Sequence, residues 1–160
     1  MKIINTKPTY YFNESINLSP TKRETTVILE NLSNSDLKKV ADYELRQYLL
    51  RNHTHQYYTC PLKNKKYPVD QMHACHYIDR QCMALRYNLR NVHLISAISN
   101  TFDAQVQVDG YKSKHHYEYE LYLRSIYGDE VMKYLLDKSK EVVIFYKTDY
   151  IKIINEFRNG

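Results

Sequence analysis

The chain has 160 residues, 43% of them apolar, with 23 Lys and Arg against 18 Asp and Glu and a formal charge of +5. That length holds one domain with a modest core, which excludes a chain disordered throughout. No apolar run approaches membrane-spanning length, three Gly and four Pro exclude a loop-dominated fold, and the positive balance favours a polyanionic partner.

Residues 1–34 read as a polar, Tyr-containing arm with no clear period, apart from a short strand at Val27-Ile28-Leu29. Ser33 and Asp36 have the spacing of a capping box, and Leu37, Val40, Ala41, Leu45, Tyr48 and Leu49 then recur at helical spacing. A helix is predicted over about 35–52, with Lys38, Lys39, Arg46 and Arg51 on its outer face. Gln56 to Cys60 reads as a short strand and Pro61 to Pro68 as a basic turn. Met72 to Ile78 alternates as a second strand, with His76 on the face of Ala74 and Ile78. Tyr87 to Leu94 is strand-like, and a helix is expected from about Ser96 through Phe102. The central stretch is therefore strand, turn, strand, helix.

Residues 103–112 look like a linker with a turn at Asp109-Gly110. Beyond it, Tyr117, Leu121, Leu123 and Ile126 predict an amphipathic helix stopped by Gly128. Val131, Met132, Leu135 and Leu136 predict a second helix over 129–138, and Val142 to Tyr146 is a brief apolar run. Thr148 is the expected N-cap of a last helix that buries Ile151, Ile154 and Phe157. The predicted organisation is an arm (1–34), a lead-in helix and core (35–102) and a helical cap (103–160).

The three Cys have no repeat spacing, and the opening residues Met1 to Lys7 lack the apolar core of a leader. Free thiols in a reducing cytoplasm are expected, the host's if the chain is phage-encoded. Seventeen Tyr with no Trp suit amphipathic core and rim positions, or stacking on bases. Lys63, Lys65 and Lys66 precede the central stretch and Lys112 and Lys114 follow it, where a nucleic-acid backbone would pass.

The chemistry of the central stretch lies in His76, Asn91, His93 and Asn100. Phosphodiester hydrolysis needs a base near its operating pH, which a neutral His supplies. It also needs a divalent cation at the leaving oxygen, which a carboxamide oxygen can ligate.

The segment His73-Ala74-Cys75-His76-Tyr77-Ile78-Asp79-Arg80, followed by Leu85-Arg86-Tyr87, Asn91-Val92-His93 and Asn100, resembles the HNH (ββα-metal, His-Me finger) nucleases. More narrowly it is similar to the phage NinG/Rap recombination family. The likeness extends to Ala41-Asp42 and Tyr48-Leu49-Leu50-Arg51 in the lead-in helix. It includes Tyr117 to Leu121 and Tyr127-Gly128-Asp129-Glu130-Val131 in the tail, and so covers roughly 35–158.

The resemblance implies an α+β fold: a ββα-metal core between an N-terminal helix and a C-terminal helical cap. It implies an endonuclease for branched recombination intermediates such as Holliday junctions, and the two active sites a junction resolver needs would fit a homodimer. His76 would be the general base, Asn91 would orient it, and His93 would line the site or touch the scissile phosphate. Asn100 would be a metal ligand, and Arg80 and Arg86 would join the lysines on DNA.

The chain departs from the family in two places. Of the family's two Cys-x-x-Cys pairs only Cys60 survives, with Lys63 at its partner position and Ser96 and Ser99 at the second pair, so no structural zinc is expected. Where the family places an Asp near the base, this chain has His73 and Cys75. Mg²⁺ or Mn²⁺ is the expected cation; a His73/Asn100 ligand pair moves the preference from Mg²⁺ toward Mn²⁺, Ni²⁺ or Zn²⁺. The same departure fits a lost activity, hence the alternative of a catalytically weak HNH-fold factor that binds DNA or protein. A structural phage protein is a third class.

Overall fold

The computed structural model describes residues 28–51, 56–97 and 114–160. Among them the chain is mixed α+β, with helices α1 (Asn34–Leu50), α2 (Lys114–Tyr127), α3 (Glu130–Lys138) and α4 (Lys147–Asn159). Two antiparallel two-stranded sheets pair β1 (Tyr57–Cys60) with β2 (Lys65–Pro68) and β3 (Met72–His76) with β4 (Val92–Ser96). No helix among the described residues is long and apolar enough to cross a membrane.

Helix α1 begins where its cap predicts. Ser33 Oγ accepts from the Asp36 amide at 3.1 Å and donates to the Asp36 carboxylate at 2.7 Å. Its apolar stripe, Leu37, Val40, Ala41 and Leu45, is buried. The upper part packs on Tyr150 and Ile154 of α4, and Leu45 packs on Val92 of β4 and Phe157 of α4. Arg46 ties the helix to the entrance of β3 through the carbonyls of Met72 and Val69, each at 3.2 Å.

The basic turn is shorter than the sequence predicts. Only residues 61–64 turn, with Asn64 at φ 48°, a conformation Asn tolerates better than most side chains. Lys65 to Pro68 then pair with β1, Cys60 opposite Lys65 and Tyr57 opposite Pro68. This strand is half exposed and held by its partner, so it lacks an apolar alternation of its own.

The β3–β4 hairpin lies at the centre. Met72 pairs with Ser96, Cys75 with His93 and His76 with Val92. One side of it meets α1 and α4 at Leu45 and Phe157. The other meets Tyr119 and Leu123 of α2 and Val131, Met132 and Leu135 of α3. With both faces covered, all of β4 is buried, and the strand loses the alternation that marks a half-exposed one. It therefore starts later than the Tyr87 expected, residues 79–91 being mostly turns. Ala97, next after β4, is already helical. The rest of the helix expected to Phe102, and the linker at 103–112, lie outside the described residues. Of the strand expected at Val27-Ile28-Leu29, Val27 also lies outside them, and Leu29 instead opens a short 3-10 helix, Leu29–Asn31.

Gly128 closes α2 at φ +80°, its amide donating to the Arg124 carbonyl at 2.9 Å, the left-handed stop that glycine makes cheaply. Helix α4 starts two residues earlier than Thr148 as N-cap implies. Tyr146 is its N-cap residue, and the Tyr146 amide donates to the Asp149 carboxylate at 2.8 Å. Ile154 and Phe157 are buried as expected and Ile151 partly so. The apolar run before it points largely outward, with Val142 92% and Ile144 69% exposed, while Phe145 packs with Tyr87 and Tyr150.

Candidate functional site

Directly opposed residues of an antiparallel pair share a face, and neighbours along a strand alternate. His76 opposes Val92, and His93 opposes Cys75. The hairpin therefore sends His76 toward α1 and His93 toward α2. His73 is an odd number of residues from His76, so it belongs to the other face, where it is exposed. This corrects the expectation that His76, His93 and His73 gather in one site: strand parity divides them.

His76 sits half-buried at the end of β3. Its Nε2 lies 2.9 Å from the main-chain carbonyl of Arg86. A carbonyl only accepts, so Nε2 carries the hydrogen and Nδ1 of the neutral ring holds the free electron pair. Burial is the main influence on its pKa and lowers it; the Arg86 carbonyl and Asp42 pull upward, and the Arg86 and Arg80 guanidinium groups downward. The net shift is down, so the ring is neutral at neutral pH and able to accept a proton there.

Arg86 is the hub of this corner. Its guanidinium donates twice to the Asp42 carboxylate, at 3.0 and 2.5 Å, and once to the Arg80 carbonyl at 2.7 Å. It also lies over the Tyr87 ring at 5.8 Å. At 5% exposure, Arg86 is an interior residue with its guanidinium turned to Asp42 and the Arg80 carbonyl, which corrects its expected place among the DNA contacts.

Asn91 is fully buried and acts as a loop clamp. Its side-chain oxygen accepts from the Ile78 amide at 2.8 Å, and its Nδ2 donates to the carbonyls of Ile78 and Leu85 at 2.9 and 3.2 Å. It does not bond to His76. It holds both ends of the turn region whose Arg86 carbonyl does.

His93 stands between tyrosines, Nδ1 3.1 Å from the Tyr119 hydroxyl and Nε2 3.1 Å from that of Tyr127. A neutral imidazole satisfies both by donating to one and accepting from the other. The Tyr119 hydroxyl donates to the Cys75 carbonyl at 2.8 Å and so accepts from the ring at Nδ1, which leaves Nε2 to accept from the Tyr127 hydroxyl; the Leu89 carbonyl, 3.2 Å from that hydroxyl, competes for the same hydrogen. The cluster pins α2 to the hairpin, and burial lowers the His93 pKa from 6.5 to about 4. Between those values the unfolded chain binds a proton that the folded chain refuses. Stability present above pH 6.5 is therefore lost as pH falls toward 4, on the order of 3 kcal/mol in all. Urea unfolding measured from pH 7 to 4 should show this loss, and His93→Gln should flatten it.

The basic residues are unequally placed. Lys65, Lys66 and Arg80 are exposed, and Lys63 is paired with Glu118 of α2 at 3.2 Å. Lys114 opens α2, with its side chain outside the described part, and Lys112 and Asn100 lie outside the described residues altogether. Among the described residues no group of three or more His, Cys, Asp or Glu could hold a metal ion. With His73 turned away from His76, the described donors do not fit a divalent cation by themselves.

Compared with protein-family models, with curated proteins and with solved structures, the chain matches none.

What the geometry provides is a neutral imidazole with its tautomer set by a main-chain carbonyl, next to a charged cluster whose Arg80 is exposed to solvent. Asp42, which the sequence marked only as part of the lead-in helix and not as a site residue, is part of that cluster with its side chain 36% exposed. It lies in a helix 34 positions before His76, so only the third dimension connects them.

Proposed function

We propose that this protein is a divalent-metal-dependent DNA endonuclease with a ββα-type core, acting on branched recombination intermediates in phage DNA metabolism. The observation that carries the reading is the hydrogen bond from His76 to the Arg86 carbonyl. It leaves Nδ1 of a neutral ring able to accept a proton at the end of the first strand of a β-hairpin that leads into a helical residue, which supports reading His76 as the base. The choice of branched DNA rests on the resemblance of the motif series to the NinG/Rap family.

In this mechanism the His76 Nδ1 takes a proton from water as the water oxygen bonds to phosphorus and the bond to the leaving oxygen breaks. Arg80 supplies positive charge to a neighbouring phosphate. Charge on the leaving oxygen is what a divalent cation offsets in enzymes of this kind; with Asn100 outside the described residues, its seat is not assembled by the others. Incubation with a four-way junction and with linear duplex, in Mg²⁺ or Mn²⁺, tests the proposal: cutting of the junction supports it.

The second reading, a catalytically weak DNA-binding factor, is favoured by the division of His73, His76 and His93 between two faces. It predicts junction binding with no cutting in any metal. On either reading Lys65 and Lys66 contact phosphates. Replacing both with alanine should then make the slope of log affinity against log salt shallower by about 1.8, since each phosphate contact contributes roughly 0.9 on duplex DNA. Fluorescence anisotropy between 50 and 200 mM salt reads this directly, and an unchanged slope would remove that face from the DNA path.

A further inference from the structure

Arg86 is fixed at both ends. Its carbonyl accepts from His76 Nε2 at 2.9 Å, and its guanidinium meets both oxygens of Asp42 as well as the Arg80 carbonyl. A fork-to-carboxylate pair sets orientation as well as proximity, which a point charge does not. The acid belongs to α1, whose neighbouring residues Ala41 and Leu45 are packed into the core. The carboxylate is thus presented from a rigid support. The buried guanidinium depends on it, because an unpaired charge there would be strongly unfavourable.

We infer that Asp42 is a positioning residue for the base: by holding Arg86 it fixes the carbonyl that sets the tautomer and direction of the His76 ring. This rests on reading His76 as the general base. The chain of contacts runs from α1 through an arginine side chain to its own main chain and then to the imidazole. Asp42 touches neither the reacting water nor the phosphate.

Its loss therefore has a signature that a general loss of packing does not share. In the wild type, a long-range ¹H–¹⁵N spectrum at neutral pH should show His76 as a single Nε2–H tautomer. In Asp42→Asn, an isosteric change, the ring should become a mixture of tautomers. Turnover on junction DNA should fall on the order of 10–100-fold with KM unchanged, as expected when a reacting group is misplaced by about 1 Å. Asp42→Glu, which restores the charge, should recover part of both.

A folded Asp42→Asn protein with one Nε2–H tautomer and wild-type turnover would overturn the inference. If Asp42→Asn does not fold, Arg86→Lys replaces it. That variant keeps a cation and the main-chain carbonyl but loses the fork, and an unchanged tautomer there overturns the inference equally. A tautomer change in a protein whose wild type cuts no DNA would leave the positioning role standing and sink the nuclease reading instead.

Discussion

Replacing His76 with alanine should slow cleavage of junction DNA by roughly 10²–10⁴-fold, the usual contribution of a general base, and leave DNA affinity unchanged. The basis is a division of labour in the proposed site. On that reading the exposed Lys65, Lys66 and Arg80 would carry the contacts to the DNA backbone and His76 the chemistry. Single-turnover rates separate the two effects, because chemistry is then read apart from binding. The wild-type pH profile adds a second check. Burial holds the His76 pKa below 6.5, so the rate should stay level as pH falls to that value and decline only below it. A decline centred above 6.5 would mean that another group provides the base.

Asn91→Ala should produce the largest loss of stability. Three hydrogen bonds go with the side chain, and the Ile78 amide and the carbonyls of Ile78 and Leu85 are left without that partner in a fully buried position. Unsatisfied buried groups cost about 1–3 kcal/mol each, and partial relaxation reduces the sum, so a loss of about 2–4 kcal/mol is expected. The urea midpoint should drop accordingly, with an unchanged slope. Activity should fall as well, because the clamp holds Leu85, next to the Arg86 carbonyl that orients His76. A loss under about 1 kcal/mol would mean that the loop has another anchor.

The helices were largely legible in the sequence, because each carries its own marks. Ser33 and Asp36 announce α1, and Gly128 stops α2. The strands were less so, for reasons that differ. Lys65-Lys66-Tyr67-Pro68 reads as a turn because its strand character comes from pairing with β1. Val92 to Ser96 is buried on both faces, so the period that would have fixed its start is missing.

The site was legible in part. His76 closes β3, two residues short of the Ile78 expected to end it, and His73 exposed the limit of reading by spacing: a separation of three on a strand reverses the face. The pairing of His93 with Cys75, and of His76 with Val92, depends on a register that no single strand contains. Arg86 looked like a surface cation because its partner, Asp42, belongs to another element. The family likeness that names a metal ligand at Asn100 reaches beyond the described residues.

The most direct measurement is cleavage of a labelled four-way junction by the wild-type protein and by His76→Ala, side by side in Mg²⁺, Mn²⁺ and EDTA. The expected result is strand cutting by the wild type in at least one metal, abolished by EDTA and reduced at least 10²-fold in the variant. Equal cutting by both proteins would contradict the assignment of His76 as the base, and binding without cutting in every metal would contradict the nuclease itself.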